Sequence, residues 1–158
     1  MLTAKRPALG FTLLELLVAL ALFATLATIA IPNFSRIIQE NRVVTTTNDY
    51  KIALSFARSE AVRRNQAVSL HPVGNDWDNG WEVQADNDNA VLRSWAQEVE
   101  DIAIANAPES FTFNSQGRLV TAAFASQSVS VTLNGIGRCV RVEPSGISRV
   151  LTNRQACN

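Results

Sequence analysis

From Phe11 to Ile31 nearly every position is apolar, and only Thr12, Glu15, Thr25 and Thr28 interrupt the run. As a helix rising about 1.5 Å per residue, this stretch is about 31 Å long, enough to cross a hydrocarbon core of about 30 Å. After Pro32 the pattern becomes amphipathic while staying helical. Val43, Thr47, Tyr50, Leu54, Ala57 and Ala61 recur at steps of three and four and form one stripe, while Arg42, Asp49, Arg63 and Arg64 fall elsewhere. The stripe is expected to dock on a sheet. Pro32 removes a backbone donor and crowds the preceding turn, so a kink or loosening is expected around residues 28 to 32. Glu60 and Arg64 stand four apart in the favourable order, and nothing breaks the helix before Asn65.

Beyond Gln66 the period shortens to two and turn residues punctuate the chain. Expected strands are Ala67 to His71, stopped by Pro72 and Gly74-Asn75-Asp76, and Trp81 to Ala85 after an Asn79-Gly80 turn. Val91 to Trp95 follows, with Trp95 in the core. Phe111 to Phe113 and Arg118 to Val120 flank a glycine-bearing turn, and Ser128 to Leu133 alternates. Cys139 to Glu143 and Ile147 to Leu151 are joined by Pro144-Ser145-Gly146. The pattern predicts an α+β protein, a long N-terminal helix packed on a β-rich head, with room in 158 residues for one compact domain beyond the apolar stretch.

Charge changes the picture at two places. Within the apolar run Glu15 is a standing cost, about 2.5 to 3.5 kcal/mol at mid-membrane and less near an interface, so it calls for a partner. Lys5 and Arg6 precede the run and hold that end in the cytoplasm, which puts the rest of the chain across the membrane. A secretory signal has an apolar region of about 7 to 15 residues, shorter than this one, and Ala19-Leu20-Ala21 lies mid-run, where it reads as helix filler. A plain anchor leaves Glu15 unexplained. In the head, Asp76, Asp78, Glu82, Asp86, Asp88, Glu98, Glu100, Asp101 and Glu109 stand against Arg93 alone between Gln66 and Ser110. From Phe111 onward Arg118, Arg138, Arg141, Arg149 and Arg154 stand against Glu143, so two faces of opposite sign are expected.

The junction Gly10-Phe11-Thr12-Leu13-Leu14-Glu15, the exit Ile31-Pro32-Asn33-Phe34 and the apolar run between them resemble the type IV pilin and type II secretion pseudopilin superfamily. The resemblance implies a leader of residues 1–10, cut by a prepilin peptidase between Gly10 and Phe11, and N-methylation of Phe11. It also implies a transmembrane and filament-core helix over 11–32, an amphipathic helix over 33–65 and a periplasmic head over 66–158. Cleavage would free an amine on Phe11 one turn from Glu15, the fifth residue of the mature chain. Adjacent subunits could then pair amine with carboxylate, which sets their stagger more reliably than it adds net stability. Loss of Lys5 and Arg6 leaves twelve basic against fourteen acidic side chains.

The head is similar to the FimT/GspH-like family of minor pilins and minor pseudopilins. Asp76-Trp77, Asn79-Gly80-Trp81, Phe113-Asn114-Ser115-Gln116-Gly117-Arg118 and Arg141-Val142-Glu143-Pro144-Ser145-Gly146 carry the similarity. Trp77 and Trp81 read as core or turn-packing residues. The resemblance implies a structural subunit of a type IV pilus, or alternatively of a type II secretion pseudopilus. It implies as partners other minor and major pilins, the inner membrane with its assembly platform, and the peptidase. Some relatives capture DNA through a Gly-Arg-x-Arg turn. Here Gly146-Ile147-Ser148-Arg149 keeps only Arg149, so DNA is the minor reading, with Arg138, Arg141 and Arg154 as its other candidates. Alternation places Arg138 and Arg141 on opposite sides of a strand.

The two cysteines, Cys139 and Cys157, lie on the oxidising side, which favours a disulfide worth about 3 kcal/mol on the loop-entropy account. One histidine, His71, and two cysteines make no metal site, and no serine or cysteine has a nucleophile context. The Asp76 to Asp88 acids lack the spacing of a calcium loop and read as solvated. No cofactor and no enzymatic activity is expected.

Overall fold

The computed structural model describes residues 11–97, 101–120, 125–151 and 157. The chain divides into two compact units, Met1–Ile38 and Gln39–Asn158. One helix, α1 (Leu13–Arg64, 52 residues), contributes to both. Its helical assignment continues through Pro32.

Helix α1 begins with a capping box, readable in Thr12-Leu13-Leu14-Glu15. The Glu15 amide donates to Thr12 Oγ1 at 3.2 Å, and the Thr12 amide donates back to Glu15 Oε2 at 3.2 Å. It ends as sharply. Asn65 takes a left-handed conformation (φ 53°), the Gln66 amide reaches back to the Ala61 carbonyl and the Asn65 amide to that of Val62. This is a Schellman closure with asparagine where glycine is usual.

In the first unit the apolar side chains from Leu13 to Leu26 and at Ile31, Phe34 and Ile37 are all exposed. In the second unit every member of the expected stripe is buried, from Val43 to Ala61, and Thr46, Ala53 and Glu60 join them. Thr47 Oγ1 donates to the Val43 carbonyl, which satisfies a hydroxyl that the stripe takes out of water.

The head consists of two antiparallel four-stranded sheets. The first has the order β3-β2-β1-β5 and comprises β1 (Val68–Pro72), β2 (Gly80–Ala85), β3 (Ala90–Ala96) and β5 (Phe111–Phe113). The second has the order β4-β6-β7-β8 and comprises β4 (Ala103–Ala105), β6 (Gln127–Leu133), β7 (Ile136–Val142) and β8 (Ser148–Leu151). Val68, Leu70, Trp81, Val83, Phe111 and Phe113 from the first sheet, and Val129, Val131, Leu133, Val140 and Val142 from the second, share one core with α1. At its centre the Tyr50 ring packs edge-on against Trp81 at 5.1 Å and Trp77 at 5.5 Å, so both tryptophans are core residues. Complete burial pushes the Tyr50 hydroxyl well above its ordinary pKa.

Three expectations are corrected. Arg118 to Val120 forms no strand. Leu119 makes only an isolated bridge to Phe113, because the Asn114–Gly117 turn folds back tightly. The strand expected from Cys139 begins at Ile136, since Asn134 (φ 47°) and Gly135 (φ 86°) form a two-residue hairpin turn that pairs Leu133 with Ile136. Trp95 is only partly buried, at the rim of the core. Strand β4 is an addition: three residues whose Ile104 alone is buried.

Candidate functional site

The N-terminal segment places Phe11 just before the helix, 91% exposed, with Glu15 in the first turn. Gly10 lies outside the described residues. Glu15 Oε2 also accepts from the Thr12 hydroxyl at 3.2 Å, so within one chain the carboxylate caps its own helix end. That contact lowers the cost of the charge, but Glu15 remains exposed and so does the apolar surface around it. The helix from Leu13 is long and apolar enough to cross a membrane, by length and composition.

In the head, the segments that carried the family resemblance turn out to be fasteners. The turn after β5 closes through the Gly117 amide on the Asn114 carbonyl, and the β7–β8 turn through the Gly146 amide on the Glu143 carbonyl, each at 2.8 Å. The two turns meet. The Leu119 amide donates to the Pro144 carbonyl, and Arg58 of α1 donates from Nε to the Gly117 carbonyl at 2.9 Å. Both glycines have positive φ, and a Cβ on Gly146 would lie 2.0 Å from the Gly117 carbonyl oxygen, so the junction admits no side chain there. A second fastener joins the sheets elsewhere. Trp77, in a short 3-10 turn before β2, donates from Nε1 to the Pro108 carbonyl at 3.0 Å, and Asp78 accepts the Ile104 amide at 2.6 Å.

The acidic block is used locally. Asp76 accepts the Asp78 amide, Asp88 the Ala90 amide, and Asp86 the Ser69 hydroxyl. Among the described residues no group of His, Cys, Asp and Glu is arranged to hold a metal ion. His71 lines an open groove of about 670 Å³ with Trp77, Pro108 and Glu109. Near the end of α1, Glu60 accepts from Arg63 Nε at 3.0 Å and Arg64 Nε at 2.7 Å. The Arg63 contact first, then the Arg64 contact, hold its carboxyl below the usual glutamate value.

The cysteines are joined, with Cα atoms of Cys139 and Cys157 5.6 Å apart, and Cys139 is fully buried. Of the four candidate arginines, the structure brings two together. Arg141 and Arg149 are direct cross-strand partners on β7 and β8, and Arg141 Nε donates to the Ser128 hydroxyl at 3.4 Å. Arg138 pairs with the buried Val131 and so stands on the other face of the sheet, as alternation predicts. Arg154 lies outside the described residues. Sequence reasoning missed Thr12, whose signal is the T-x-x-E box. It also missed Arg58, whose carbonyl partner is remote in sequence and leaves no local trace.

Residues 46–146 match a family model described as Type II transport protein GspH, and residues 5–31 match one described as Prokaryotic N-terminal methylation motif. No curated protein sequence matches the chain. Among solved structures, the Pseudomonas aeruginosa (strain PAO1) type IV minor pilin FimU in space group P21 shares the fold. Its TM-score is 0.61 at 22% identity, covering 75% of this chain and 96% of that one. The same protein in space group P65 gives 0.56 at 23% identity, covering 72% and 98%. With more than half its length in the GspH match, a methylation motif at the apolar helix and the helix-on-sheets fold of a minor pilin, the chain belongs to the GspH family of pilin-like structural subunits.

Proposed function

We propose that the chain is a minor subunit of a type IV pilus that helps initiate or cap filament assembly. In this reading a prepilin peptidase cuts between Gly10 and Phe11, Phe11 is methylated, and the chain waits in the inner membrane with its head in the periplasm. On assembly the amine of Phe11 from one subunit meets Glu15 of another, and Glu15 exchanges its contacts with Thr12 for that partner. The carrying observation is the single carboxylate in the first turn of a helix whose large apolar side chains from Leu13 to Leu26 are all exposed. Such a surface needs lipid or sister helices. The likeness to the type IV minor pilin FimU and the cysteine pair favour a pilus, whereas membership of the GspH family keeps the type II secretion pseudopilus as the alternative.

Crosslinking in intact cells tests the role. Adducts concentrated on other minor pilins are expected, and an even distribution along filaments would remove initiation and capping. The paired Arg141 and Arg149 support a second reading, DNA capture, at reduced strength because Arg138 faces away. A gel shift with DNA across a salt series decides it: phosphate contacts give binding that falls steeply with salt, and no shift at low salt disposes of it.

A further inference from the structure

We infer that the outward side of α1 within the head, together with Arg93 on β3, is a docking surface for an acidic loop on the head of a neighbouring pilin. This rests on the filament reading above. The register pairs Trp81 with Trp95 and Val83 with Arg93, so Trp95 and Arg93 extend the core-facing side of the first sheet one strand beyond its buried rows. There they meet Phe56 of α1. The Phe56 and Trp95 rings pack edge-on at 5.9 Å, and the Arg93 guanidinium lies 4.5 Å from the Trp95 centroid and 5.7 Å from that of Phe56.

This contact seats the guanidinium over the Trp95 ring but uses none of its N–H donors in a hydrogen bond. Arg93 makes no ion pair or hydrogen bond among the described residues, and neighbouring Glu82 is paired with Ser94 on the opposite face of the sheet. An arginine held over an aromatic ring with its donors unused is suited to bidentate capture of a carboxylate. Beside it runs an open groove of about 630 Å³ lined by Asn48, Lys51, Ile52, Ser55, Phe56 and Ser59. Ser55 and Ser59 also line a second groove of about 450 Å³ that reaches Ile147. The surface therefore has hydroxyl side chains beside Ile52, half exposed, and Ile147, 43% exposed, with Lys51 and Arg93 as cations at one end and Arg58 and Arg63, already bonded to the Gly117 carbonyl and to Glu60, along the second groove.

The Arg93–Trp95–Phe56 cluster supplies the arginine and tryptophan typical of an interface anchor. Charge complementarity names the occupant. The surface carries Lys51 and Arg93, and this chain itself presents a carboxylate-bearing loop around Asp86 and Asp88, so a neighbouring head built like this one offers the complementary charge. A nucleic-acid partner is less well served, because the guanidinium already covers a Trp95 face on which a base would stack.

The test places a photoreactive residue at Ser55 of the full-length chain in cells, with a second probe at Leu22 in the apolar helix. The expected result is an adduct from Ser55 to a pilin, this chain or another, whose captured peptide carries Asp or Glu. Arg93→Glu should lower its yield about tenfold, with Arg93→Lys intermediate. Lys51→Glu gives an independent reading should Arg93→Glu not accumulate. If Leu22 captures pilins but Ser55 captures none, or captures them equally in both charge-reversed variants, the docking surface is refuted while the filament reading stands. If neither probe captures a pilin, the filament reading fails.

Discussion

The two halves of α1 have the same backbone and opposite fates. Between Leu13 and Ile38 its large apolar side chains, among those described, are exposed, whereas between Gln39 and Arg64 a stripe of one residue in three or four is buried against two sheets. The second half meets its partner within the head, while the described apolar side chains of the first half lie open to the lipid or sister helices of the proposed filament. In the proposed filament the second half folds the protein and the first half assembles it, and each half can be perturbed alone.

The largest effect is expected from Glu15→Ala. If the first half serves assembly only, the variant loses incorporation into sheared filaments by about tenfold or more, because helix association in lipid offers little register information besides that charge. Melting of the head, followed in detergent by near-ultraviolet circular dichroism, should not move. A filament yield equal to that of the natural chain would sink the register role of Glu15.

The converse perturbation is Trp81→Ala. Trp81 is 1% exposed and packs on Tyr50 of the second half, so its loss should cost about 3 to 5 kcal/mol by denaturant titration. Leu22→Ala, by contrast, should leave that titration unchanged. Next in size is Cys139→Ser, expected to cost about 3 kcal/mol by freeing the tail that Cys157 pins to β7. A variant as stable as the parent would mean the tail adds nothing to the head. Gly146→Ala sharpens the picture at the fastener under Arg58. A Cβ there strikes the Gly117 carbonyl and demands an unfavourable φ, so a loss of about 1 to 3 kcal/mol is expected in the same titration.

How much of this was legible before folding differs between the halves for physical reasons. A period of three and four needs only local sequence, so the buried stripe from Val43 to Ala61 and the end at Asn65 could be read directly. The alternation that sets Arg138 against Arg141 is equally local. Strand β4 was not legible, because Ala103-Ile104-Ala105 carries little strand preference and owes its conformation to pairing with β6. The Asn134-Gly135 turn was written in the sequence and moves the start of β7 to Ile136. The side-by-side placement of Arg141 and Arg149, and the stacking of Arg93 on Trp95 and Phe56, depend on register and on a helix crossing a sheet. No window of neighbouring residues contains that information.

The smallest effect is expected at the end of the buried stripe, where Glu60 is nearly covered and its partners Arg63 and Arg64 are not. Those arginines hold the Glu60 carboxyl below its ordinary value of 4.5, so between the folded and unfolded pKa values the unfolded chain binds more protons than the folded one. The contribution of Glu60 is therefore complete above 4.5 and is lost as the pH falls through the lower, folded value. Because the arginines are largely solvated, it amounts to about 1 kcal/mol or less. Melting temperatures of the parent and Glu60→Gln should differ slightly at neutral pH and converge in acid. A gap that persists in acid would mean Glu60 acts through packing with the stripe, making this last turn of α1 part of the core and not its charged border.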